Sequence, residues 1–286
     1  MSGFVEIVFL LTAPLLLAAC GELVLERAGS IQIGAEGTML IGAFAAFAAG
    51  RAGAGPWTAL LAGLLAGVAS GAAFALVAVA GRADPILVGT AWNLVAFGAT
   101  AFGYRLVAGA TGSVLEIATL PRVLLGLPLA VPLAFLLPVA LHAGLARTRP
   151  GLRLAAAGER PEALHAQGIS VVAVRSGASL FAGAAAGAGG ALLVLTVSPT
   201  FIEGITAGRG FLALALVVFS RWKPLRLIPA ALLIGGASAL QVRLQASGAA
   251  VPYAFFVALP GLLALAALAL SPGRGGAPKA LGAPAP

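Results

Sequence analysis

The chain has 286 residues, of which 60% are hydrophobic and only 9% are charged, and its mean hydropathy is +1.06. A soluble domain carries about 25% charged residues, so this composition excludes a soluble globular protein and indicates an integral membrane protein surrounded by lipid. The net charge of +8 does not indicate nucleic-acid binding, because the basic residues are scattered between apolar segments. Basic residues retained on cytoplasmic loops account for the same charge.

Nine apolar segments of about 20 residues have the length of a membrane-spanning helix. They lie at 4–25, 31–50, 56–80, 85–107, 126–147, 170–196, 205–220, 227–245 and 250–270. The seventh is the weakest, because its uninterrupted apolar part covers only 211–219, and a broken or re-entrant helix is predicted there. The sequence therefore predicts an all-α polytopic membrane protein with eight or nine transmembrane segments. One transmembrane domain covers 1–270, and a Gly-, Pro- and Ala-rich tail at 271–286 is predicted to be disordered.

Glycines recur every four residues in two of these segments. Gly63, Gly67 and Gly71 lie in the third segment, and Gly183 and Gly187 lie in the sixth. Small residues at this spacing let two helix backbones approach closely in a membrane. The spacing favours close helix packing at these positions, although 39 glycines in the chain would also produce such repeats by frequency alone.

Two polar, glycine-containing segments lead directly into apolar helices. Residues 26–38 precede the apolar stretch 39–49, and residues 203–210 precede 211–219. Broken backbone at membrane depth is tolerated only where it is buried in protein or faces water, and a charge near the bilayer centre costs about 3 kcal/mol. Glu36 and Arg209 therefore need partners or a position near an interface. Ordinary loops at the membrane surface are the alternative interpretation.

These segments supply the candidate residues of a translocation pathway. The candidates are the polar side chains of both segments and one amide in the fourth apolar span: Gln32, Glu36, Asn93, Glu203 and Arg209. Asn93 can either line a path or form hydrogen bonds between helices, and the second role is favoured. The two segments enter the membrane from opposite sides in the orientation argued below, as inverted-topology repeats do, with permeation at their interface.

The loop at 147–175 is the longest polar interruption, with five Arg, two Glu, a His and a Gln. Within it, Pro161 suits the first position of a helix, Glu162 favours the positive end of the helix dipole, and Gly168 suits a left-handed helix stop. A short exposed helix is therefore predicted at 161–167. A membrane protein with one small exposed helix on a basic loop is expected to use it to contact a soluble partner.

The distribution of basic residues gives the orientation. When the loop at 147–175 is placed in the cytoplasm, twelve of the 17 basic residues lie inside and five lie outside. This asymmetry predicts an outside N-terminus and a cytoplasmic C-terminus. We therefore expect a multi-pass membrane protein with this orientation.

The sequence contains no motif for covalent or nucleotide chemistry. It has no G-x-x-x-x-G-K-[ST] phosphate-binding loop, no G-x-S-x-G, no H-E-x-x-H and no Cys/His cluster at metal-ligand spacing. A non-catalytic protein without cofactor or metal is expected. If ATP energises transport, its hydrolysis is expected in a separate subunit.

Seven short motifs, in a fixed order, resemble one family. They are ERAG at 26–29, IGAEG at 33–37, TRPGLRL at 148–154, GERPEA at 158–163, GISV at 168–171, TAGRGF at 206–211 and WKP at 222–224. The chain resembles the permease subunits of ABC importers of the branched-chain amino acid/simple-sugar superfamily, and within it the shorter permease of nucleoside-type uptake systems. The resemblance extends to about residue 270.

This resemblance implies a permease subunit of the bacterial cytoplasmic (inner) membrane that forms the pathway for a nucleoside or a related sugar-containing solute. The implied partners are ABC ATPase subunits, a second homologous permease that makes a heterodimer, and an extracytoplasmic substrate-binding lipoprotein. The loop then holds the coupling helix that docks on the ATPase. The implied coupling residues are Arg153, Gly158, Glu159, Pro161, Glu162, Ala163 and Gly168.

Two positions depart from the family pattern. Gln32 and Arg160 stand where the family usually has Asn. Asn caps a helix well and Arg does not, so the coupling helix is expected to begin less firmly here. Gln32 keeps an amide but is one methylene longer, so a different substrate preference is expected.

Three alternatives remain at the level of sequence. Within the ABC class, the solute can be a branched-chain amino acid or a simple sugar. An ion-coupled secondary transporter would also use broken helices, but it would usually carry several intramembrane acids, whereas Glu36 is the only strong candidate in this sequence. A membrane scaffold protein without a pathway is the third alternative.

Overall fold

The computed structural model describes residues 2–108, 115–124, 126–246, 261–262 and 276–283, and it is 76% helical with almost no sheet. Its helices are α1 Ser2–Arg27, α2 Ala35–Arg51, α3 Pro56–Phe74, α4 Pro85–Ala108, α5 Ala130–Arg147, α6 Arg149–Glu159, α7 Pro161–Ala166, α8 Val171–Leu192, α9 Arg209–Phe219 and α10 Pro224–Ala246. Helices α3 and α8 continue as π-helical turns at Ala75–Ala80 and Leu193–Val197. A hairpin of β1 Arg122–Leu124 and β2 Leu127–Pro128 precedes α5.

The predicted all-α class is confirmed, whereas the count of eight or nine spans is not. Within the described ranges, six helices are long and apolar enough to cross a membrane: Gly3–Arg27, Pro56–Ala80, Pro85–Val107, Ala130–Arg147, Val171–Val197 and Pro224–Ala246. Of the predicted ninth span, 250–270, only residues 261–262 are described. Two predicted spans are shorter than expected, since α2 has 17 residues and α9 has 11. At 1.5 Å per residue, α9 is about 16 Å long, about half of a 30 Å hydrocarbon core.

Residue chemistry at the helix starts explains several boundaries. Asp84 Oδ1 accepts the backbone N–H groups of Ile86 and Leu87 at 2.8 and 3.2 Å, and Pro85 occupies the first position of α4. Ser170 caps α8 in the same way, through the N–H of Ala173. These side chains satisfy N–H groups that have no partner within the helix.

The loop at 147–175 contains a helix that the sequence did not predict. Helix α6 begins after Thr148, whose hydroxyl accepts the N–H of Gly151 at 3.2 Å, and Pro150 stands at its second position. A Thr cap followed by Pro in the first turn is a recognisable start signal. The prediction of α7 depends on Pro161 and Gly168, which carry no information about the turns before them.

Glycines let α3 and α8 approach each other closely. A side chain at Gly67 would collide with the backbone of Gly183, and Ser179 Oγ donates to the carbonyl of Gly71 at 2.8 Å. The predicted close packing at the four-residue glycine repeats is therefore confirmed. Because lipid gives no hydrophobic drive for helix association, this backbone contact is a main source of the bundle's cohesion.

Helices α1 and α8 lie innermost, and α4 and α5 lie at the periphery. Most of the apolar part of α1 and of α8 is buried within the chain, whereas less than a quarter of that of α4 or α5 is. Helix α4 exposes several large apolar side chains: Leu87, Leu94, Val95, Phe102 and Leu106. Such a surface is suited to lipid or to another membrane subunit.

The structure also places part of the tail that composition alone predicts to be disordered. Residues 276–283 form turns that pack against the ends of α1, α6 and α8, and Pro278 among them is buried. The physical reason is a set of backbone carbonyls and an arginine that bind this segment, which composition does not reveal. The rest of the tail lies outside the described residues.

Candidate functional site

The N-termini of α2 and α9 meet at the carboxylate of Glu36. This side chain lies in the first turn of α2 and is 2% exposed. Its Oε1 accepts the Thr206 hydroxyl at 2.5 Å and the Gly208 N–H at 2.8 Å, and its Oε2 accepts the Gly210 N–H at 2.7 Å. The first N–H groups of a helix lack partners within it and carry a partial positive charge. Glu36 therefore caps α9 from a different helix.

The TAGRG segment has the backbone that this contact requires. Gly208, the residue before α9, has φ +81°, a left-handed conformation that favours glycine. At Gly210, an added Cβ would lie 2.8 Å from the carbonyl carbon of Ala35 and would collide with the backbone of Glu36. Only glycine at 210 lets the two helix starts touch.

Asn93 of α4 completes the start of α2. Its Oδ1 accepts the Gly37 N–H at 2.8 Å, and its Nδ2 donates to the Ile33 carbonyl at 3.1 Å. The amide is buried and bridges the two sides of the break that precedes α2. It therefore makes hydrogen bonds between helices, one of the two roles that its position in the sequence allows.

Gln32 presents a buried polar group without a partner. The residue is 1% exposed, and among the described residues its Nε2 has no hydrogen-bond partner. The carboxyl group of Glu22 on α1 lies near the backbone of Gln32, and its Oε2 is likewise buried and unpartnered within the described chain. Leaving such a group unpaired costs about 1–3 kcal/mol. One hydrogen-bond donor, Gln32 Nε2, and one acceptor, Glu22 Oε2, are therefore unpaired where α1 meets the connection 28–34.

The other two pathway candidates lie in different surroundings. The half-buried Arg209 donates from Nη1 to the carbonyls of Ile205 and Thr206 at 3.4 and 3.2 Å, and within the described residues it makes no ion pair with Glu36. Glu203 lies on the surface, where its carboxylate is 3.6 Å from Arg105 Nε. Exposed pairs contribute about 0–1 kcal/mol. The structure thus brings Glu36 and Asn93 to the break before α2 and leaves Glu203 outside the cluster.

A second polar cluster joins the ERAG and WKP motifs. Glu26 Oε2 accepts the indole N–H of Trp222 at 2.6 Å, and Arg27 Nε donates to the Trp222 carbonyl at 3.1 Å. Trp222 and the preceding Arg221 both have positive φ values, 55° and 56°. The end of α1 therefore holds the turn between α9 and α10 in a conformation that such residues rarely adopt.

The predicted short helix is present as α7. Gly168 follows it with φ +71°, the left-handed stop that the sequence predicts. Leu164 packs between Ala157 and Val171, which fixes the helix to the bundle and leaves Glu162 and Ala163 exposed. Arg160 precedes α7 without a side-chain capping bond, in line with the weaker start that its replacement of Asn predicts.

The remaining predicted coupling residues surround α7. Arg153 is exposed on α6, and Glu159 is exposed at its end. Gly158 is buried, and a side chain there would collide with the carbonyl of Arg27. Pro161 is partly buried at the first position of α7. The exposed Glu159 thus directly follows Gly158, the residue that contacts the end of α1.

These features together define a polytopic membrane protein of the transport class. They are the long apolar helices, the two short helices that begin at one buried carboxylate, and the small exposed helix on a polar loop. The chain belongs to the family described as branched-chain amino acid transport system / permease component, whose model matches residues 4–268.

Similar proteins include a guanosine ABC transporter permease protein of Bacillus subtilis, 33% identical, with 99% of this chain and 96% of the relative aligned. A nucleoside ABC transporter permease protein of Lactococcus lactis is 32% identical over 95% of this chain and 92% of its own length. A permease protein of Haloferax volcanii named for glucose ABC transport is 34% identical over 81% of this chain and 74% of its own length. No solved structure gives a significant match.

Proposed function

We propose that this chain is the permease subunit of an ATP-binding cassette importer and forms the pathway for a nucleoside or a related sugar-containing solute. The observation that carries the proposal is the junction of the two short helices α2 and α9 at Glu36, in a chain that also presents α7 on its surface. The relatives named for guanosine and nucleoside transport support this class of solute. The relative named for glucose supports the sugar alternative.

The break before α2 offers the chemistry that a hydroxyl-rich solute needs. A ribose hydroxyl donates one hydrogen bond and accepts others, and the unpartnered Gln32 Nε2 and Glu22 Oε2 are a donor and an acceptor. Glu36 and Asn93 are occupied in holding the helix starts. We therefore assign Gln32 to solute contact and assign Glu36, Asn93 and Arg209 to the architecture of the pathway.

The helix directions support an inverted repeat. Helix α9 runs from Glu36 to the turn at Trp222, which is bonded to the end of α1 at Glu26, and α2 runs away from Glu36 toward Arg51. The two short helices thus begin at Glu36 and run in opposite directions, as in transporters with inverted repeats. With an outside N-terminus, α9 descends to the cytoplasm.

The proposed partners follow from the surfaces. An ABC ATPase docks on α7 and supplies the ATP hydrolysis, so this subunit is itself non-catalytic. A second, homologous permease packs on the peripheral apolar helices as a heterodimer, and an extracytoplasmic lipoprotein delivers the solute. ATP shifts the transporter between its two states only by its differential affinity for them.

Uptake of labelled guanosine tests the proposal. The chain is expressed together with its partner ATPase, second permease and lipoprotein, in cells that lack nucleoside uptake. We expect uptake that an excess of glucose leaves unchanged and that is lost when the phosphate-loop Lys of the ATPase is replaced. Uptake that survives this replacement would identify an ion-coupled transporter, and competition by glucose would assign the sugar as cargo.

A further inference from the structure

Residues 276–283, which we term the strap, cross the face of the molecule that carries α6 and α7. The Ala280 N–H donates to the Gly158 carbonyl at 2.8 Å, and the Gly282 N–H donates to the Gly29 carbonyl at 3.0 Å. One chain segment thus joins the end of α6 to the connection between α1 and α2.

Side-chain packing fixes the strap in place. Pro278 is buried, and its Cβ lies 3.1 Å from where a Cβ on Gly158 would stand. Ala277 and Leu281 pack against the apolar cluster formed by α1, α9 and α10. Gly282 has φ +78°, which lets the chain turn toward Gly29. The segment is therefore held by apolar contacts as well as by hydrogen bonds.

Arg175 of α8 binds three separate segments at once. It is 2% exposed, and it donates from Nε to the Ala28 carbonyl at 3.0 Å, from Nη1 to the Ala283 carbonyl at 2.7 Å and from Nη2 to the Ala157 carbonyl at 3.5 Å. No ion pair to Arg175 is present within the described residues. A buried guanidinium is tolerated only when its donors are satisfied, so this side chain requires α6, the 28–34 connection and the strap to stay together.

We infer that the strap and Arg175 transmit the displacement of α7 to the break before α2. Gly158 is three residues ahead of Pro161, where α7 begins, and Gly29 is six residues ahead of Ala35, where α2 begins. The strap bonds Gly158 to Gly29 through its own backbone, so motion of the coupling loop moves the segment that leads to Glu36. This inference rests on the proposed function, since it assigns a role within an ATP-driven cycle.

The substitution Ala280→Pro tests the role of the strap, because it removes the N–H that donates to Gly158. Ala280→Ser keeps that N–H and is the matched control. Both are reconstituted with the ATPase and the second permease, and the number of solute molecules transported per ATP is measured. One hydrogen bond has a net effect of about fivefold on an equilibrium, so we expect the ratio to fall about fivefold in Ala280→Pro and to stay at the wild-type value in Ala280→Ser. The KM for solute and the KM for ATP should both stay unchanged.

A thiol reporter shows whether the strap has been released. Leu281→Cys places a half-buried thiol on the strap, and Cys20, the only native cysteine, is buried. Maleimide labelling should be faster when Ala280→Pro is added than when Ala280→Ser is added. A released strap with an unchanged transport ratio would overturn the inference, as would labelling that does not change.

The conservative variant Arg175→Lys provides the second test. Lysine keeps the charge but lacks the planar fork that reaches three carbonyls, so the transport ratio should again fall while the ATPase still copurifies with the permease. A wild-type ratio in Arg175→Lys would count against the inference. Failure of the proposed function looks different, because the unmodified transporter would then show no ATP-dependent uptake at all.

Discussion

The carboxylate of Glu36 accepts the backbone N–H of Gly210 at 2.7 Å, although the two residues are 174 positions apart in the chain. The bond joins the starts of two helices that leave this point in different directions. Peptide dipoles place partial positive charge at both helix starts, and one carboxylate lies against the two of them. The junction is therefore stabilised by the negative charge as well as by the individual hydrogen bonds.

The substitution Glu36→Gln should damage both stability and uptake. Glutamine keeps the size of the side chain but replaces one acceptor oxygen by an NH₂ donor, which then faces a backbone N–H. Losing a charged hydrogen bond and leaving a buried N–H unpaired should lower the free energy of unfolding by about 2–3 kcal/mol. Thermal unfolding in detergent measures this loss. The matched control is Glu203→Gln, whose carboxylate makes an exposed pair, and equal effects of the two changes would contradict the assignment.

The substitution Gly210→Ala should have a large effect for a steric reason. Its Cβ collides with the backbone at Ala35 and Glu36, so α2 and α9 must separate and the Glu36 hydrogen bonds must lengthen. Gly98→Ala in α4 is the control, because a Cβ at Gly98 meets nothing within 4 Å. Alanine is favoured over glycine within a helix by about 0.5–1 kcal/mol, so this control should be neutral or slightly stabilising. Unfolding midpoints that fall equally in both variants would refute the steric explanation.

The apolar helices and α7 could be predicted from the sequence, because each depends on local signals. Apolar length identified the six long apolar helices, though not the count of spans, and Pro161 and Gly168 placed α7 to within one residue of its observed end at Ala166. Helix α6 was also within reach, since Thr148 and Pro150 mark its start. These features depend on residues that are close together in the chain.

The partners of the buried groups could not be predicted, because they come from distant segments. The sequence predicts that Glu36 needs a partner, and its negative charge suggests a basic side chain such as Arg209. The observed partners are instead mostly backbone N–H groups. The strap shows the same limit, since a Gly- and Pro-rich composition does not reveal the carbonyl of Gly158 or the guanidinium of Arg175 that bind it. Composition indicates the local conformational preference of a segment. These contacts join segments that are distant in the chain, so composition does not predict them.

The substitution Gln32→Leu separates solute contact from structure. Because Nε2 has no partner among the described residues, replacing it by an apolar group of similar size should leave the unfolding midpoint unchanged or raise it. Loss of one hydrogen bond to the solute should raise the KM for uptake about fivefold to tenfold. Gln245→Leu, at an exposed position of α10, is the control. An unchanged KM with Gln32→Leu would remove Gln32 from the pathway.

Charge reversal around the start of α7 should uncouple the transporter. Glu159 and Glu162 are exposed around the start of α7, so replacing both with Lys should weaken ATPase docking without disturbing membrane insertion. We expect uptake to fall at least about tenfold, since reversing two contacts across an interface costs several kcal/mol. Copurification of the ATPase with the permease measures docking directly. Glu116→Lys, an exposed charge reversal outside this loop, should leave docking intact, and normal uptake in the double variant would contradict a docking role for α7.

The orientation of the chain can be tested with two single reporter thiols. Ala163 on α7 and Ala52 after α2 are both exposed, and the native Cys20 is buried. An outside N-terminus places α7 in the cytoplasm and residue 52 outside, because α1 and α2 together cross the membrane once in each direction. An impermeant maleimide applied to intact cells should therefore label Ala52→Cys and should label Ala163→Cys only after lysis. The reverse pattern would place α7 on the side without ATP, where it has no ATPase to meet.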